Sequence, residues 1–119
     1  MILQIVSRDD DATCLRLSDR ITFEDFDGRL DPLAERCGND IYKERVIIDM
    51  SGSDYIDSSG VGWLVSSHKK FVTAGGCLAL HSFQPEVKKT FAVLRMEYVL
   101  NLCEDQERAW NVVDGKTKR

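Results

Sequence analysis

Proline and histidine occur only twice each in these 119 residues, and the four cysteines, Cys14, Cys37, Cys77 and Cys103, stand far apart. No CxxC pair forms, so zinc and dithiol redox signatures are missing, and the count is too low for a secreted disulfide scaffold. Two separated histidines give no ligand spacing, so neither a metal nor a cofactor is expected. Basic residues are in deficit: 16 Lys and Arg against 20 Asp and Glu leave a net charge of −4. That is the wrong sign for a phosphate-neutralising surface, and no direct nucleic-acid contact is expected. No apolar run approaches a membrane span and no signal-peptide pattern opens the chain. The expectation is a cytoplasmic protein without a membrane partner, its thiols reduced and mostly buried.

What is present is 43% hydrophobic and 30% charged residues, enough for one domain with a core and too short for two. "ILQIV" (Ile2–Val6) and "TCLRLS" (Thr13–Ser18), joined by an Asp-rich turn, read as a β-hairpin. Thr22 to Cys37 has helical spacing through Phe23, Phe26, Leu30, Leu33 and Ala34, with a break at Pro32 and Asp31 as a second N-cap. Gly38 and Asn39 are expected to close it.

"RVIIDM" (Arg45–Met50) is a continuous apolar run ending in an acid, the pattern of a strand buried on both faces in mid-sheet. Beyond it, Val61, Leu64, Val65, His68, Phe71 and Val72 share one helical face, ended by Gly75 and Gly76. His68 on that stripe reads as a half-buried core histidine. Trp63 falls off the stripe and fits either a partner interface or the core edge. "CLALH" (Cys77–His81) is a strand. Pro85 opens a helix with Val87, Phe91 and Leu94 inward, "YVLNLC" (Tyr98–Cys103) reads as a last short strand, and "EDQERAWNVV" as a terminal helix. The order β-β-α-β-α-β-α-β-α implies an α/β fold with a mixed sheet, covered by helices mainly on one side. The domain is expected to span 1–113, followed by a short flexible basic tail, 114–119, with Lys116, Lys118 and Arg119.

The chemistry-bearing stretch is "YIDSSGVGWL" (Tyr55–Leu64), between the central strand and its helix. It is not the G-x-S-x-G elbow of a serine hydrolase. His68 is too far along the helix to serve Ser58, and His81 ends another strand, so no catalytic residues are assigned. The glycines lack a P-loop lysine or a G-x-G-x-x-G order. Asp57 and Ser58 are both good N-caps, and Gly60 and Gly62 allow close backbone approach. A helix N-terminus at the C-terminal edge of a parallel sheet also tolerates phosphate, through free N–H groups and the positive dipole end.

"VIIDMSGSDYIDSSGVGWL" resembles the STAS domain of bacterial anti-sigma factor antagonists, in which an acid-ended strand and short loop lead to D-S-[ST]-G-[ILV]-G at a helix start. Downstream, "AGGCLALHSFQPEVKKTFAVLRMEYVL" is similar to the family's Gly-Gly strand and P-x-V-x-x-x-F helix. The resemblance runs from about the first strand to Ala109 and is specific from Val46 to Leu102. The first helix departs from the pattern, with Pro32 inside it and "CGNDIYKE" lengthening the approach to the central strand.

The resemblance implies a STAS-type mixed β-sheet of four to five strands with about four α-helices. It implies a binding module rather than an enzyme. Ser58 is the implied phosphorylation site, supported by Asp57, Ser59, Gly60 and Gly62. The implied partners are an anti-sigma factor with serine kinase activity and a PP2C-type phosphatase. Glu86, Lys88 and Lys89 are further contact candidates beside a solvated-face reading, and Asp49 and Asp54 read as loop-end acids. The competing readings are a non-switching STAS scaffold and, more remotely, a small serine hydrolase.

Overall fold

The computed structural model describes residues 1–26 and 31–114. Its sheet has five strands in the order of the chain: β1 (Ile2–Arg8), β2 (Thr13–Ser18), β3 (Arg45–Gly52), β4 (Cys77–His81) and β5 (Leu102–Cys103). β1 and β2 form the expected antiparallel hairpin, and every later pairing is parallel.

That order decides where the helices go. Each parallel strand is added on the same side of its predecessor, and right-handed crossovers then put every connecting helix on one face. These are α1 (Pro32–Cys37), α2 (Ser58–Ala74) and α3 (Pro85–Val93). Leu33, Leu64, Phe71, Val87 and Phe91 from them pack on Leu15, Leu17, Val46, Ile48 and Leu80. The terminal helix α4 (Gln106–Val113) follows the last strand and folds under the opposite face, where Ala109 and Val113 meet Ile47 and Ala79. β3 sits in the middle with Val46, Ile47, Ile48 and Met50 buried, as a strand covered on both faces must be.

Several expectations need correction. The stretch from Thr22 begins as a 3-10 turn (Phe23–Asp25) and not a full helix, leaving Phe23 62% exposed. Leu30 lies outside the described residues. The restart at Pro32 does occur, with the Asp31 carboxylate accepting from the Leu33 amide at 3.0 Å. Asn39 does not close that helix but opens a second 3-10 turn (Asn39–Lys43), which buries Ile41 and Tyr42. β1 runs two residues past Val6, with a register shift between Ile5 and Ser7.

Val72 and Leu94 face solvent: Val72 is one step off the inward stripe, and Leu94 lies beyond the last turn of α3. In "YVLNLC" only the last two residues pair as a strand, because Met96–Tyr98 forms a 3-10 turn. Asn101 is buried there and its side-chain amide donates to the Leu78 carbonyl at 2.8 Å. A polar residue thus ties a non-strand segment to the sheet.

None of the four cysteines is in a disulfide, yet only Cys37 is buried; Cys14, Cys77 and Cys103 are half-exposed because one eight-residue helix cannot cover their face. Burial pushes the Cys37 and Cys77 thiols up. Asp114, counted with the tail by sequence, caps α4 and lies 3.8 Å from Arg45; the rest of the expected tail is outside the described residues. Among the described residues, no helix is long and apolar enough to cross a membrane.

Glycine is required at Gly76, where an added Cβ would lie 2.3 Å from the Tyr42 carbonyl oxygen. The 3-10 turn and the start of β4 touch there without room for a side chain. Nearby, Glu44 accepts from Arg8 and from Thr13 Oγ1 at 2.6 Å. Burial raises the Glu44 pKa, but these two hydrogen-bond donors outweigh it and hold the carboxyl below its ordinary value.

Candidate functional site

After β3 the chain turns through Ser53–Asp57 into α2. Ser53 is buried and its amide donates to the Met50 carbonyl at 3.0 Å, so the turn is tight. Ile56 forms an isolated parallel bridge with Ile21: Ile21 N–H donates to Tyr55 O at 2.9 Å and Asp57 N–H to Ile21 O at 3.0 Å. The segment after β2 therefore grips the segment before α2.

Asp57 completes the grip. One carboxylate oxygen accepts from the Gly60 amide at 3.0 Å, which caps the helix, and the other accepts from the Phe23 amide at 2.9 Å. A cap alone needs one oxygen; the second holds the Phe23–Asp25 turn against the start of α2. Asp57 outcompetes Ser58 for the cap position, so Ser58 is the first residue inside the helix and is exposed, as is Ser59.

The two glycines differ. A Cβ on Gly60 would sit 2.7 Å from Ile56 Cγ1 and 2.8 Å from Ile21 Cγ2, so this position is packed shut. Gly62 has no such neighbour: nothing lies within 4 Å of an added Cβ, and the residue faces solvent. The expected close approach at Gly62 is to nothing within the described chain. A Gly62→Ala variant should therefore be more stable than the parent by about 1 kcal/mol in urea unfolding, since glycine weakens an exposed helix by that much. A destabilised variant would show that Gly62 is needed by the fold itself.

Sequence reasoning missed a second segment of this surface. Arg20 lies over the Tyr55 ring, 4.2 Å from its centroid, and Phe23 and Tyr55 are both exposed. With Glu24 and Asp57 they line an open depression of about 410 Å³. Nothing in the local pattern could reveal it, since Phe23 and Asp57 are 34 residues apart and meet through a backbone amide.

Other candidates lie elsewhere. His68 is half-buried ten residues down α2 from Ser58, roughly 15 Å along the axis. His81 belongs to the α4 face of the sheet, away from α2. Neither is placed to activate Ser58. Trp63 is half-buried, stacked 5.4 Å from Phe26, and its indole N–H donates to Asp31 at 3.1 Å. It joins the core edge. Asp49 accepts from the Ser51 amide at 2.8 Å, the loop-end role expected of it. Asp54 is exposed on the turn, and Glu86, Lys88 and Lys89 are exposed on α3. No group of residues able to hold a metal ion occurs among the described residues.

The sequence profile of the STAS domain matches residues 4–109. The chain belongs to the STAS domain family. Similar solved structures include a candidate anti-sigma factor antagonist from Thermotoga maritima, 19% identical with a TM-score of 0.72, covering 95% of this chain and 93% of that one. The anti-sigma factor antagonist SpoIIAA in its unphosphorylated form is 18% identical, with a TM-score of 0.70 over 98% of this chain and 100% of that one. The Bacillus cell fate determinant SpoIIAA in its phosphorylated form gives 15% identity and a TM-score of 0.63, with the same coverage. At these identities the likeness is one of fold. No curated protein sequence matches the chain. The STAS fold accounts for the five-stranded mixed sheet and for the helix that Asp57 caps.

Proposed function

We propose that this STAS domain is an anti-sigma factor antagonist that works by partner switching. Unphosphorylated, it binds an anti-sigma factor with serine kinase activity and so frees the sigma factor; phosphorylated on Ser58, it lets go. A PP2C-type phosphatase restores the binding form. The domain is a kinase substrate in this reading, not an enzyme. It acts in the cytoplasm, with residues 1–114 as the single domain and 115–119 as a basic tail.

The observation that carries this reading is the exposed Ser58 at the first position of α2, beside an Asp57 that does the capping alone. The Ser58 hydroxyl is therefore not the group that holds the helix start. A phosphate there meets the positive end of the helix dipole and the first-turn amides. It adds about −1.5 to −2 charge to a chain already at −4, changing the docking surface by charge more than by shape.

Incubation with the partner kinase and ATP, followed by peptide mass spectrometry, should place one phosphate on Ser58 and none on a Ser58→Ala variant. Phosphate on Ser59, or retained by the Ser58→Ala protein, overturns the assignment.

A further inference from the structure

On the face of the sheet that α4 partly covers, Arg16, Asp49, His81 and Cys103 are successive register partners on β2, β3, β4 and β5. Such partners stand about 4.8 Å apart, and alternation along each strand puts them on one face. Ala79, two residues before His81, packs with Ala109 and Val113 there, and Cys103 packs beside them. The row lies near the C-terminal ends of parallel strands, where functional groups gather.

His81 is only 4% exposed, and its Nδ1 lies 2.8 Å from the Ser82 hydroxyl. Ser82 has φ +65°, a left-handed conformation uncommon for a residue with a side chain and found preferentially at functional sites. Ser82 fixes the ring through Nδ1, and Nε2 is the other nitrogen, on a ring one strand from Cys103. Burial holds the imidazole below its ordinary pKa, with Asp49 and Asp105 pulling it up more weakly, so the ring is neutral at pH 7. In the tautomer whose Nδ1–H donates to the Ser82 hydroxyl, Nε2 is free to accept a proton from a neighbouring thiol. Cys103 also lines an open cavity of about 300 Å³ with Asn101 and, from α4, Val112.

We propose that Cys103 and His81 form a thiol-modification site for small α,β-unsaturated carbonyl electrophiles, with His81 as the base. The sulfur attacks the β-carbon while its proton passes to His81. The electron pair of the C=C bond moves to the α-carbon, which takes the proton back. One S–C bond forms, nothing leaves, and no oxidant is needed.

Asp49 on β3 and Asp105 at the α4 N-cap favour the transient imidazolium. Arg16 stands 3.9 Å from Asp49, and Arg108 pairs with Asp105 and, more loosely, with Glu104, tempering both acids. Cys103 reacts through proton transfer to His81.

N-ethylmaleimide labelling of the native protein, read for all four cysteines by peptide mass spectrometry, tests this. Cys103 should label fastest, with a rate that rises as His81 loses its proton, below the ordinary histidine value of 6.5. His81→Gln should slow Cys103 about tenfold or more at pH 7 and move its pH profile up to the ordinary thiol range, leaving Cys14 unchanged. Ser82→Gly, which relieves the backbone and removes the hydroxyl, should slow Cys103 in the same direction. It carries the decision if circular dichroism shows His81→Gln unfolded. Cys103 labelling no faster than Cys14, or a pH profile that neither variant moves, overturns the proposal.

Discussion

An Asp31→Ala variant should unfold with about 3 kcal/mol less stability than the parent, one of the largest losses expected from a single polar side chain here. The Asp31 carboxylate caps α1 at the Leu33 amide, and it also accepts from Trp63 Nε1 at 3.1 Å and from the Tyr42 hydroxyl. Lys70 Nζ adds an ion pair at 3.1 Å. Losing a cap costs about 1 kcal/mol, and stranding two part-buried donors costs about 1 kcal/mol or more each. Relaxation and water entry recover part of that. Lys70 is half-exposed, so Lys70→Ala should cost under about 1 kcal/mol.

For a domain expected to hold about 5–15 kcal/mol in all, the Asp31 loss is a large share. Urea unfolding of both variants measures it. A loss below about 1 kcal/mol for Asp31→Ala would mean that α1, the Tyr42 turn and α2 are held together by apolar packing alone.

Asp31 also illustrates what could be read in advance. Its capping role follows from Asp-Pro at a helix restart, which is local and visible in the sequence. Its bonds to Tyr42, Trp63 and Lys70 span 11, 32 and 39 residues and have no local trace. The same division holds at the functional turn. A cap from Asp57 or Ser58 and a solvent-facing Ser58 were legible from residue type and position; that Asp57 takes the cap was not. The second Asp57 oxygen on Phe23 was not, nor was the Arg20–Tyr55 stack, because both depend on the Ile21–Ile56 bridge.

Strand and helix order followed from apolar period wherever burial was continuous, as in β3, α2 and β4. It failed at Tyr98–Leu100, where Leu100 is buried and Tyr98 is 78% exposed without a strand between them. An apolar run marks burial, not conformation. The row from Arg16 to Cys103 lay further out of reach still. It exists only once the register of four strands is known.

Replacing Ser58 with Asp should leave the fold intact and weaken binding to the anti-sigma partner about 100-fold, or about 2.8 kcal/mol. The fold is spared because Asp57 already caps α2 and the new carboxylate points to solvent at the positive end of the helix dipole. Binding suffers because the charge enters a surface already acidic from Asp54, Asp57 and Glu24, where the partner must approach α2 past exposed Phe23 and Tyr55. Phosphoserine carries more charge than Asp, so enzymatically phosphorylated protein should bind more weakly still. Ser58→Ala should bind as tightly as the parent, since neither cap nor core uses the hydroxyl. Circular dichroism melts test the first half, and titration against the partner kinase tests the second. If Ser58→Asp and the phosphorylated protein both bound like the parent, with melts unchanged, Ser58 would not control docking, and a STAS scaffold without a release switch would be the better account of this surface.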